Sequence, residues 1–236
     1  MKKCLKRDDR YQHILTAVRI LYILTGIFLG VRACLHHNSL VALNSFGTLI
    51  LIPGLCLVRR LFHWTGGRQL ETYIYIFIYL SWTLGGAGGL YGLIPYYDKA
   101  VHFLSGLFVA LLGLVLFRML ESRHSRDGEN KATGCMFVFF NSVAFSGLFE
   151  ICEFVLDLIT HSELQHVLDT GVTDTMQDII ACTLGALVFL FLMIRSCHGK
   201  RDPVTDAAEV FVYQNTVERE SSRQHVNVTS QQENMV

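Results

Sequence analysis

Proline is nearly missing from this sequence, with 3 residues in 236. No low-complexity tract is present either. Together the two absences argue against a largely disordered chain. A surplus of either charge is also missing. Lys+Arg and Asp+Glu number 20 each, which argues against a nucleic-acid partner, since such proteins carry a basic excess. Charge itself is sparse at 17%, against about 25% in an average soluble domain. Cysteine is not scarce, but its 7 residues form no CxxC pair and no even framework. Neither a disulfide scaffold nor a cysteine zinc site is indicated. The thiols read as small apolar side chains.

What the chain does have is apolar residues, 51% of the total with a mean hydropathy of +0.37. They come in blocks. A membrane-spanning helix needs about 20 mostly apolar residues. Six stretches qualify: Ile14–Val31, Leu40–Val58, Thr72–Leu93, Ala100–Phe117, Cys135–Leu158 and Met176–Ile194. The expected fold is therefore all-α, a polytopic integral membrane helical bundle with six transmembrane helices in the lipid bilayer. A basic N-terminus (1–13) precedes the membrane domain (14–195), and a polar, mobile tail (196–236) follows it. The third stretch turns glycine-rich at Gly85, Gly86, Gly88 and Gly89, which marks close helix contact or a break in the helix.

Charge sidedness supports this layout. All Lys and Arg residues except Arg19, Arg32 and Lys99 fall before span 1, between spans 2 and 3, between spans 4 and 5, or after span 6. Arg19, just inside span 1, can snorkel to the basic side. The positive-inside rule then places both termini in the cytoplasm. Span 1 has the basic start of a secretory signal but no small-residue cleavage site after it, so it reads as a retained span. The sequon Asn227-Val228-Thr229 lies in the cytoplasmic tail and carries no weight.

On this layout the acids collect on the other side. Asp98, Glu150, Glu153, Asp157, Glu163, Asp169, Asp174 and Asp178 lie there, with His102, His161 and His166. Asp98 and His102 are four apart at the start of span 4, and so share a helix face. Glu150, Glu153 and Asp157 follow an i, i+3, i+7 stripe near the end of span 5. Asp174 and Asp178 are four apart at the start of span 6. Glu150 is 15 residues into span 5. At about 1.5 Å per residue it lies roughly 22 Å into a core about 30 Å thick. Intramembrane acids face the bundle interior or a wet cavity and are functional candidates by default. Plainer roles exist beside these. Asp174-Thr175-Met176-Gln177 has the form of a capping box, and Asp178 suits the positive end of the helix dipole. Asp98 could cap span 4, Asp157 could be a solvated interfacial acid, and Glu153 could pair with His102 or Lys99.

Three functions compete. In the first, Glu150, Glu153, Asp178 and His102 bind a divalent metal, with Asp98 and Asp174 completing an outward-facing polar site between spans 4, 5 and 6. Carboxylates suit Mg, Ca or Mn, and an added imidazole suits Zn, Fe or Mn. Through such a cation the site could hold an envelope lipid head group, whose phosphate an acidic face alone would repel. In the second, the chain is a structural or partner-binding membrane module whose acids are caps and helix locks. The third is a proton- or cation-coupled transporter, which would need a polar route through to the cytoplasmic half. Asp157 and Asp169 are secondary candidates. No GxSxG elbow surrounds Ser105 or Ser146.

Three segments also resemble a known family. Tyr97-Asp98-Lys99-Ala100-Val101-His102-Phe103-Leu104-Ser105-Gly106 is similar to the opening of a span in the YjdF-type inner-membrane proteins of bacteria. Phe149-Glu150-Ile151-Cys152-Glu153-Phe154 resembles a second segment of that family. Asp169-Thr170, Asp174-Thr175-Met176-Gln177-Asp178 and Gly185-Ala186 resemble its closing element. The VanZ-like proteins share a looser version of the pattern. The resemblance implies a polytopic helical bundle in a bacterial plasma membrane. It groups Asp98, His102, Glu150, Glu153, Asp174 and Asp178 as a set, and it implies no reaction.

Overall fold

A computed structural model describes residues 2–124, 131–160, 164–165 and 167–216. His161, Glu163, His166 and the sequon lie outside them. All regular structure among the described residues is helical. The helices are α1 (Lys2–Leu35), α2 (Ser39–Thr48), α3 (Leu51–Phe62), α4 (Arg68–Ile78), a π-helical segment (Tyr79–Ala87), α5 (Leu90–Leu93), α6 (Tyr97–His124), α7 (Lys131–Thr160), α8 (Val167–Thr170), α9 (Thr173–Cys197) and α10 (Pro203–Asn215). Large apolar side chains such as Leu24, Leu43, Phe140 and Phe191 are exposed on the outside, as lipid-facing residues are. Among the described residues, five helical stretches are long and apolar enough to cross a membrane: Cys4–Leu35, Ser39–Phe62, Tyr97–Glu121, Lys131–Thr160 and Thr173–Cys197.

The expected third span, Thr72–Leu93, is not among these five. Here α4 runs directly into the π-helical segment, and a break separates that segment from α5. Glycine explains the break. The Gly88 N–H reaches back to the Thr83 carbonyl at 2.8 Å, and Gly89 follows with φ +78, a left-handed conformation open to glycine without a Cβ penalty. A milder break separates α2 from α3. Pro53 lacks an N–H and its ring crowds the carbonyl of Leu49, four residues back.

Packing divides the bundle into two groups. Leu15 of α1 packs with Tyr75 of α4 around the fully buried Tyr22. α6, α7 and α9 form the larger core around Leu111, Leu114, Val138 and Phe189. α10 belongs to that core and corrects the reading of residues 196–236 as a mobile tail from its start. Asp202 caps α10 by accepting from the Val204 and Thr205 N–H groups, and Pro203 fits the first helical turn. Ala207, Ala208 and Phe211 then enter the core. The Asn215 amide pairs with both backbone groups of Thr65, at 2.8 and 2.9 Å, and Gln214 accepts from the Gly67 N–H at 2.8 Å. Arg7 of α1 pairs with Asp206 of α10 at 2.6 Å. The apolar face of α10 was too short to stand out in a segment dominated by polar residues.

At this same end lies a charge cluster that the sequence reading did not include. Glu71 is 6% exposed and pairs with both Arg19 and Arg59. Arg19 thus turns toward the basic end, where Glu71 and Arg59 lie. It stacks over the Tyr75 ring at 5.4 Å and ties α1 to α4. Removing one partner of a buried ion pair strands the other charge. Glu71→Gln should thus cost about 3–5 kcal/mol, seen as a marked drop in melting temperature of the detergent-solubilised protein. A variant that melts like the parent would show that the cluster does not hold α1, α3 and α4 together.

Candidate functional site

Two reciprocal glycine contacts place the site. A Cβ on Gly106 of α6 would strike the Cys182 carbonyl of α9, and a Cβ on Gly185 of α9 would strike the Phe103 carbonyl of α6. Glycine at both positions lets the two backbones approach closely. The beginnings of α6 and α9 are thereby brought side by side, with the end of α7 against them. Asp98, Lys99 and His102 on α6 meet Asp174 and Asp178 on α9.

Lys99 is the hub. Its ammonium donates to Asp174 Oδ1 at 2.6 Å, Asp178 Oδ2 at 2.7 Å and Asp98 Oδ2 at 3.1 Å. His102 Nε2 lies 3.5 Å from Asp98 Oδ1 and 3.8 Å from Asp178 Oδ1. Asp98 and Asp178 are thus each shared between two neighbours. Their Oδ2 atoms serve the ammonium, and their Oδ1 atoms turn toward the imidazole. Asp178 is only 2% exposed, and its Oδ1 makes no hydrogen bond. An unpaired buried acceptor costs about 1–3 kcal/mol, and more when charged. Ligand atoms of Asp98, His102 and Asp178 all lie within 4.8 Å of one another. Metal–ligand bonds of about 2.0–2.6 Å let one ion bridge such a set.

The α7 acids stand beside this trio. Glu150 is 5% exposed. Its Oε2 and its backbone carbonyl both accept from Gln165 Nε2, at 3.3 and 3.0 Å. Its Oε1 has no partner, and neither does the buried Ser146 Oγ one turn earlier. Glu153 is half-buried and lies in the electrostatic reach of Glu150, His102, Asp98 and Asp178. Asp157 accepts from the Leu164 and Gln165 N–H groups at 2.9 and 3.1 Å. It therefore holds the loop that delivers Gln165, rather than standing as a solvated interfacial acid. Asp169 is exposed on α8 and joins no cluster among the described residues.

The trio holds Asp98 where the sequence reading had Glu150 and Glu153 as ligands. The Asp174 capping box does not form. α9 begins at Thr173 after Val172, with no side-chain cap bond, and the Asp174 carboxylate turns to Lys99 instead. With Asp174 already inside the first turn, its carboxylate is free for the ammonium, a pairing of two full charges at 2.6 Å. Asp98 likewise sits inside the first turn of α6, facing Lys99 and His102. Lys99 pairs with three aspartates rather than with Glu153. Two neighbours escaped the sequence reading. Gln165 gave no signal, as a neutral residue in a loop. Tyr91, in electrostatic reach of Asp98, Glu153 and Asp178, was hidden in the glycine-rich stretch.

Comparison with known proteins adds one result. A family model described as a predicted membrane protein (DUF2238) matches residues 14–199. This is the YjdF-type family whose segments the sequence shows, and the looser VanZ-like likeness is not part of the match. No curated protein and no solved structure matches the chain.

Lys99→Met should leave Asp98, Asp174 and Asp178 without their common donor. The expected loss is about 1.5–3 kcal/mol per charged hydrogen bond at the buried Asp178, and less at the more exposed Asp98. Thermal melting in detergent checks this. Asp178→Asn in the Lys99→Met background should recover part of the loss, because it removes the stranded charge.

Proposed function

This chain belongs to the DUF2238 family of predicted membrane proteins, and we propose that Asp98, His102 and Asp178 form a divalent-cation site in it. The observation that carries the proposal is the division of the two aspartates. Lys99 occupies their Oδ2 atoms, while both Oδ1 atoms and the imidazole Nε2 stay clear of it and converge. Were these acids only helix locks, Lys99 would satisfy them and the buried Asp178 Oδ1 would need a partner of its own. Two carboxylates and one imidazole suit Mn, Zn or Fe. Lys99 then acts as the group that orients the ligands from behind, as outer partners of metal ligands do.

The acid surplus supports the same reading. Asp98, Asp174 and Asp178 share one ammonium, with Glu150 and Glu153 close by. A bound dication lowers that surplus. It also makes the face attractive to phosphate, which points to an envelope lipid head group as the molecule the cation would hold. Glu150 and Glu153 would flank the bound group as bases or additional ligands. The basic loops favour an orientation with both termini in the cytoplasm and this site on the outer side of a bacterial plasma membrane.

Metal analysis of protein purified in detergent without chelator, after supplementation with Mn, Zn or Fe, tests the site. About one equivalent of metal is expected in the parent and much less in Asp178→Asn, with the variant still folded by circular dichroism. Glu153→Gln should keep most of the metal. Metal-free parent protein after supplementation would sink the cation reading and leave the acids as locks between helices.

A further inference from the structure

A second site lies toward the other end of the bundle, away from the acids. A cavity of about 410 Å³ separates α3 and α4 from α6 and α7. That volume falls within the range of ligand cavities, about 300–1,000 Å³. Its walls are apolar, apart from Arg59, Glu71 and Asn141. The cavity opens sideways. Val58, Leu112, Leu116 and Phe145 line it and are also 37%, 36%, 47% and 54% exposed on the apolar outer surface. α3 has no fully buried side chain; Leu51, Ile52 and Leu55 pack partly against the α1–α4 core, and Leu55, Val58 and Arg59 face the cavity. Trp64 and Phe211 close the lower end, where α10 is docked.

Charge at this end identifies the occupant. Arg59 and Glu71 line the cavity, and Arg19, behind the wall, shares the same carboxylate, so the three-residue cluster carries a net positive charge. Arg60 follows at the C-terminus of α3, is exposed, and has no acidic partner among the described residues. Phe62 and Trp64 stack at 4.9 Å beside it, and aromatic residues of this kind settle at the membrane–water interface. An apolar slot open to the hydrocarbon, with the Arg59 guanidinium in its wall and the exposed Arg60 next in the chain, matches a lipid with a negative head. Basic pockets between spanning helices bind such head groups, and arginine is well suited to phosphate. A whole helix is about 10–12 Å across, so only a chain-like ligand enters a slot of this size fully.

We propose that this cavity seats one acyl chain of an anionic phospholipid, with the lipid phosphate held at Arg60 and the Arg19–Arg59 pair. The site is independent of the cation site and stands whether or not metal binds there. The lipid would fill the gap between the two helix groups and fix their spacing, as dispersion contacts across an unfilled gap are otherwise lost.

Native mass spectrometry of the full chain tests this, with phosphatidylglycerol or phosphatidylcholine of identical acyl chains as probes. The parent should retain one phosphatidylglycerol at least tenfold more readily than phosphatidylcholine. Leu116→Trp, and Val58→Trp from the opposite wall, should each fill the slot and lose the retained lipid. Arg60→Gln should keep a lipid but lose most of the preference for the negative head. Equal retention of the two lipids would overturn the proposal, as would lipid retained at parental level in both folded tryptophan variants. A dimer that binds no lipid and falls apart in Leu116→Trp would also overturn it and assign the groove to a second copy.

Discussion

The crossing of α6 and α9 is the constraint on which the polar centre depends. Gly106 and Gly185 each meet a backbone carbonyl of the opposite helix. No other residue type fits at that distance, because any Cβ would overlap the carbonyl. In lipid, where no hydrophobic force drives helices together, van der Waals contact between small residues is what holds such a crossing. The contact also sets the register of the two helices. One turn before Gly106 lies His102, and Asp178 lies one turn before Cys182, so the crossing fixes the depth at which imidazole and carboxylate meet. Ser142 adds a bond from α7 to the Gly106 carbonyl at 2.8 Å, which locks the third helix to the same point.

Given that register, a lysine among carboxylates becomes affordable at membrane depth. An isolated acid at the centre of a span costs about 2.5–3.5 kcal/mol on insertion. Lys99 spreads one positive charge over Asp98, Asp174 and Asp178, and each pairing offsets part of that cost. The opposite end uses the inverse arrangement, with two guanidinium groups around the single Glu71 carboxylate. One end therefore keeps surplus negative charge and the other surplus positive charge, while the net charge of the chain is zero.

Much of this was legible in the sequence, because length and hydropathy speak directly about spanning helices. The α-helical membrane class, the long helices now seen as α1, α6, α7 and α9, and the shared faces of Asp98 with His102 and of Asp174 with Asp178 all follow from residue type and spacing. What was not legible depends on contacts between distant segments. The glycines of Thr72–Leu93 allowed either close contact or a break, and only the left-handed turn at Gly89 with the bond from Gly88 to Thr83 shows that the helix ends after Ala87. The capping box at Asp174 is a valid local pattern. It does not form because Asp174 lies inside the first turn, and its carboxylate turns to Lys99, 75 residues away in sequence. The docking of α10 is hidden for a similar reason. Its apolar side chains are few, and their value appears only against the groove that α4 and α6 provide.

Asp98 shows how far spacing can be read. Four residues before His102 it shares a helix face, which the sequence states. Which of its two oxygens meets which neighbour cannot be stated from one helix, since the neighbour Lys99 points to α9 and draws one oxygen after it. Only the rotation of that carboxylate, set by Lys99 reaching Asp174 and Asp178, leaves the other oxygen 3.5 Å from the imidazole. The convergence of the trio is therefore a property of the pair of helices, not of either motif. The lysine, by drawing one oxygen each of Asp98 and Asp178 to itself, sets where their other oxygens lie.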